Sequence, residues 1–146
     1  MTASQSPDAV SSVLIIDSDI ISRHAIADYL RHCGYVVVEA ADTDEAIVAL
    51  ADAPLRVDII LCDVAAVGTK SGFDLANWVK SNRPELEVRL AGSLANVADE
   101  AADLCHSGPN LARPYEPQAV VGYINRLRAT RLSAASLSAE DAALSA

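Results

Sequence analysis

Val13-Leu14-Ile15-Ile16-Asp17 is an unbroken apolar run that ends at a carboxylate, and Ile59-Ile60-Leu61-Cys62-Asp63 repeats the phrase. A run with no polar residue on either face reads as a strand buried on both sides, as in parallel sheets covered by helices. Between the two runs the periodicity changes. From Ile20 onward Ile26, Leu30 and Cys33 share one helical stripe, and Gly34 stops that helix. Val36-Val37-Val38 is β-branched throughout and predicts a second strand. Asp42-Thr43-Asp44-Glu45 has the spacing of a capping box, and the helix it opens carries Ala46, Ile47 and Leu50 inward.

Working outward, the third strand is expected from Val57 through Cys62, closing at Asp63. A loop from Val64 to Ser71 leads into a helix that begins near Gly72 and uses Leu75, Ala76 and Val79. Val88 to Ala91 predicts a fourth strand, Asn96 to Leu104 a weak Ala-rich helix, and Asn110-Leu111-Ala112 a brief fifth strand. Pro117 suits the first turn of a last helix bearing Val120, Val121, Ile124 and Leu127. Five strand–helix repeats with right-handed crossovers predict an α/β fold, a (βα)5 doubly wound five-stranded parallel sheet. The expected organisation is a flexible segment over 1–11, one domain over 12–132, and an Ala/Ser-rich tail over 133–146 that either extends the last helix or, the favoured reading, frays.

Composition limits function. With 11 basic and 20 acidic residues the 146-residue chain carries a net charge of −9, which disfavours nucleic-acid backbones and anionic membranes. The cluster Arg126, Arg128, Arg131 reads as the favourable last turn of a helix. Cys33, Cys62 and Cys105 are odd in number and widely spaced, so reduced thiols in a cytoplasmic protein are expected. Cys105-His106 has no second Cys/His pair to complete a metal site. The first residues lack the features of a signal peptide, and no apolar run approaches a membrane span.

In an open parallel sheet, ligands bind beyond the carboxyl ends of the strands. Asp17 and Asp63 both stand there. Together with Cys33-Gly34-Tyr35, the stretch Val38 to Ala46, Gly72 and Arg113-Pro114-Tyr115, in this order and spacing over about residues 12–130, the pattern resembles the receiver domain of response regulators, whose fold is flavodoxin-like. The resemblance implies that Asp63 accepts a phosphoryl group from a histidine kinase or phosphotransfer protein. It also implies that Mg2+ is held by Asp17, Asp63 and the backbone carbonyl of Ala65. Asp19 is expected to cap the first helix; the alternative is that it leans inward and joins the metal ligands. Arg113 takes the place of the family's lysine beside the phosphoryl group. Such a chain is no enzyme beyond slow self-dephosphorylation. It works as a monomer or homodimer through a downstream protein partner, on a surface over about 94–127, since little chain follows for an output domain.

Several positions depart from the family pattern. Ser18 replaces the second acidic ligand, Ala91 removes the Ser/Thr hydroxyl, Asn110 replaces a switch aromatic, and Val67 replaces the loop proline. The nine positions from Asp63 to Gly72 are one more than the commonest spacing. Losing a carboxylate weakens cation attraction on the scale of roughly 4 kcal/mol per charge pair at 4 Å. These departures favour a pseudo-receiver, a binding module that works without phosphorylation, as the second reading. The Asp17-Ser18-Asp19 spacing also matches haloacid-dehalogenase-type phosphatases, but a helix follows at once where those enzymes have a flap.

Overall fold

The computed structural model describes residues 11–52, 56–107 and 116–144. Its elements run β1 Ser12–Ile16, α1 Ile20–His32, β2 Val36–Ala40, α2 Thr43–Ala51, β3 Ile59–Asp63, α3 Gly72–Asn82, β4 Glu87–Ala91, α4 Leu94–Ser107 and α5 Pro117–Leu144. The four strands are parallel, in the order β2-β1-β3-β4. This is the doubly wound, flavodoxin-like arrangement expected. The fifth strand expected at Asn110-Leu111-Ala112 lies outside the described residues.

Alternation along each strand divides the core into two layers. Val13, Ile15, Val37 and Leu61 pack with Ile26 and Leu30 of α1, Leu104 of α4 and Ile124 of α5. Leu14, Ile16, Ile60 and Cys62 point the other way, against Ala46 and Leu50 of α2 and Leu75 and Val79 of α3. Both faces of β1 are therefore apolar, which is why its sequence shows no polar alternation. Truncating a fully buried residue such as Leu14 or Ile60 to Ala removes about 2–5 kcal/mol.

Helix ends follow the local chemistry read from the sequence. Asp42 accepts from the Glu45 amide at 2.7 Å, while Glu45 reaches back to the Ala41 amide, also at 2.7 Å. Ser71 caps α3 through the Asp74 amide. Gly34 has φ 103°, the left-handed conformation that lets the chain leave α1 after its cap, Cys33.

Two expectations are overturned. Cys33 and Cys105 are joined as a disulfide with Cα atoms 5.5 Å apart, so they are not free thiols. The residues lie at the ends of α1 and α4, which pack on the same face of the sheet. A contact between positions 72 apart has no local sequence signal. Second, Arg126, Arg128 and Arg131 are not in a last turn, because α5 runs on as far as Leu144.

Candidate functional site: an acidic pocket at the strand ends

The strand order reverses at β1, where β2 lies to one side and β3 to the other, so a crevice opens beyond their carboxyl ends. Asp17 follows β1 directly and Asp63 is the last residue of β3. Ala91, the last residue of β4, is the register partner of Asp63. These three positions are fixed by the sheet itself: the Asp17 amide donates to the Ala40 carbonyl, and the Val64 amide donates to the Ala91 carbonyl at 3.0 Å.

Asp17 is buried. Burial pushes its carboxyl up from the usual range, and the nearby Asp63 carboxylate pushes the same way, against a hydrogen bond from the Asp19 amide to Oδ1 at 2.9 Å. Asp63 is half-buried, and its Oδ1 accepts from the Ala65 amide at 3.0 Å. Two carboxylates facing one crevice repel each other, and a cation placed between them relieves that repulsion. Among the described residues no cluster of three or more acidic, His or Cys side chains forms a metal site. The two carboxylates nonetheless fit Mg2+, a hard ion that commonly takes one or two carboxylates and completes its shell with water and phosphate.

Asp19 does not lean inward. It is the N-cap of α1, accepting from the Ile21 amide at 3.1 Å and the Ser22 hydroxyl at 2.9 Å. Arg128 of α5 holds the same carboxylate. Burial raises the Asp19 carboxyl, but the Arg128 and Ser22 hydrogen bonds outweigh it and hold the group below its usual range. Sequence reasoning missed Arg128, because nothing local marks which member of a basic cluster reaches a distant helix cap.

The loop after Asp63 is pinned to α2. The Thr43 amide donates to the Val67 carbonyl at 2.9 Å, and its hydroxyl is shared between the carbonyls of Lys70 at 2.7 Å and Val67 at 3.2 Å. The Thr69 amide donates to Asp44 Oδ2. Gly68, at φ 131°, gives the loop its bend. Thr43 is fully buried. A Thr in the first turn of a capped helix would not have been singled out from sequence alone. Cys62, beside Asp63, is buried and its thiol is pushed up to about 12 by burial and by the Asp63 and Asp17 charges, so it is no nucleophile. The α1 helix begins at Ile20, three positions after Asp17, which leaves no room for a phosphatase flap. Arg113 and Asn110 lie outside the described residues.

Comparison with known proteins agrees with this geometry. The family model described as "Response regulator receiver domain" matches residues 13–109, more than half of the chain. Over 77 residues the chain is 34% identical to a cyclic di-GMP phosphodiesterase of Thermotoga maritima, covering 53% of this chain and 20% of that protein. Over 70 residues it is 33% identical to the two-component response regulator-like PRR37 of Oryza sativa subsp. indica, covering 48% of this chain and 9% of that protein. It thus spans a small part of the length of either relative. Among solved structures, the chemotaxis response regulator CheY4 of Vibrio cholerae matches with a TM-score of 0.53 at 23% identity, covering 81% of this chain and 98% of that one. A response regulator receiver domain protein from Clostridium thermocellum matches with a TM-score of 0.53 at 21% identity, covering 83% and 99%. Fold, strand-end carboxylates and family match converge: the chain belongs to the response regulator receiver domain family of two-component signalling.

Proposed function

We propose that this receiver accepts a phosphoryl group on Asp63 from a histidine kinase or phosphotransfer protein and signals through protein–protein contacts. The observation that carries this reading is the placement of Asp63 at the end of β3, half-buried and facing the buried Asp17 at the switch point of the sheet. An Asp63 oxygen attacks phosphorus in line, the phosphorus–nitrogen bond of the donor breaks, and Asp63 becomes an acyl phosphate. Mg2+, when bound, would supply positive charge to offset the negative charge that develops in transfer. Asp17, Asp63 and the Ala65 carbonyl would hold it, without Asp19, which is engaged by Arg128. Arg113, at the position where the family has lysine, would be the cationic partner of the phosphoryl group. Ala91 offers no hydroxyl, so the hydrogen bond linking phosphoryl group to β4 is missing and the switch is weakened.

The partner surface lies over about 94–127, where Tyr123 and Leu127 are exposed apolar side chains. The chain itself is no enzyme. It acts in the cytoplasm; no helix among the described residues is long and apolar enough to cross a membrane. The domain is the unit over 12–132, acting as a monomer or homodimer. The net charge of −9 argues against direct nucleic-acid binding. A pseudo-receiver is the second reading, favoured by Ala91 standing directly beside Asp63 in the register. Incubation with a phosphorylated histidine protein decides between them. Label on Asp63 that hydroxylamine removes supports the acceptor; no label at any Mg2+ concentration leaves the pseudo-receiver.

A further inference from the structure

The turn Cys33-Gly34-Tyr35 grips the end of α4 twice. Cys33, the cap of α1, is bonded to Cys105, and the Tyr35 hydroxyl donates to the Leu104 carbonyl at 2.6 Å in a buried hydrogen bond. Between them Gly34 takes the left-handed conformation that turns both side chains toward the same helix. Cys33 and Cys105 are fully buried in the layer formed by α1, α4 and α5.

We propose that Cys33 and Cys105 are a reversible thiol–disulfide modification site that sets how firmly the last turn of α4 is clamped to α1. Three observations carry it. Protonated cysteines behave as small apolar side chains, so this apolar layer accommodates the reduced pair as well as the disulfide. The Tyr35 hydrogen bond and the packing of Ala101 and Leu104 hold the same helix end through atoms other than the two sulfurs, so reduction would loosen that end without removing the core that positions it. The third cysteine, Cys62, lies in the opposite layer, and its raised thiol keeps it out of exchange, leaving one pair with two states. The cytoplasmic reading above, on which this proposal rests, makes the bond a transient one.

The oxidant is a low-molecular-weight disulfide. One protein thiolate attacks it, forming a mixed disulfide and releasing one small thiol. The second protein thiolate then displaces the other small thiol, so two protein thiols and one small disulfide become one protein disulfide and two small thiols. Because both sulfurs are buried, exchange requires the end of α4 to open.

The test equilibrates the full chain in glutathione buffers spanning the cytosolic range, quenches exchange with acid, unfolds the chain, alkylates every free thiol and counts them by intact mass. Amide exchange of residues 101–107 is followed in parallel. The proposal expects one alkylated cysteine in oxidising buffer and three in reducing buffer, with exchange at the end of α4 rising about tenfold on reduction. Cys62→Ala keeps the transition, and Cys105→Ala shows the faster exchange in every buffer. Three free thiols throughout, a bond intact at the most reducing ratio, or α4 exchange equal in both states would overturn it; wild type alone decides each of these. None of these outcomes depends on phosphorylation of Asp63.

Discussion

Arg128 of α5 closes its guanidinium on Oδ2 of Asp19, the residue that caps α1, across 109 positions of sequence. The same guanidinium reaches the Ser22 hydroxyl. One arginine therefore ties the last helix to the first turn of the first helix, at the rim of the acidic pocket. Both partners are about one third exposed, so solvent screens the pair. Arg128→Ala is expected to lower stability by about 0.5–1 kcal/mol. The Asp19 carboxyl should then titrate closer to the usual carboxylate range. Urea unfolding and proton-detected titration of wild type and variant measure both effects, and an unchanged Asp19 titration would contradict the latch.

Asp17 and Asp19 respond to pH in opposite senses. The folded-state pKa of Asp17 is raised above 3.8, so its contribution to stability is full below that value and is lost as pH rises through the raised pKa. The folded-state pKa of Asp19 is lowered, so its contribution is present above 3.8 and lost as pH falls through its lowered pKa. Asp17→Asn should therefore raise the metal-free thermal midpoint at neutral pH, while abolishing stabilisation by Mg2+. Thermal unfolding across pH, with and without Mg2+, checks this. A variant less stable than wild type at neutral pH without metal would count against carboxylate repulsion in the pocket.

The loop after Asp63 depends on a glycine. At Gly68 a Cβ would collide with the Thr43 hydroxyl, and the φ of 131° is one that side chains rarely adopt. Gly68→Ala is expected to destabilise by about 1–3 kcal/mol and to release the Thr43 hydrogen bonds. Thr43→Val, which keeps the shape but leaves the carbonyls of Val67 and Lys70 without the hydroxyl donor, should cost about 1–3 kcal/mol. Chemical denaturation reads both, and a neutral Gly68→Ala would show that the loop does not need this bend.

Ala91→Ser restores a hydroxyl next to Asp63. A hydrogen bond to a charged group contributes about 1.5–3 kcal/mol, so the variant should retain the phosphoryl group on Asp63 at least about tenfold better at equilibrium with a small phosphodonor. Fractional phosphorylation by intact mass measures it, and equal occupancy in both proteins would show that β4 takes no part.

Much of the fold was legible because it rests on local rules. The apolar runs of β1 and β3, the capping box at Asp42 and the glycine after α1 each leave a signature a few residues long. Asp17 and Asp63 were legible for the same reason: each ends a buried run. The remainder depends on contacts between distant positions. Nothing near Cys33 names Cys105, nothing near Asp19 names Arg128, and nothing near Thr43 names Val67. Expecting reduced thiols came from compartment chemistry, which says nothing about two helix ends that pack side by side. The helical course of α5 past the arginine cluster was likewise hidden, since Ala-rich sequence suits a helix and a frayed tail equally.

Intact mass after incubation with Mg2+ and a small phosphodonor tests the acceptor role of Asp63 most directly. The account predicts a gain of one phosphoryl group on wild type, dependent on Mg2+ and absent from Asp63→Asn. No gain on wild type with excess donor, or the same gain on Asp63→Asn, would contradict it.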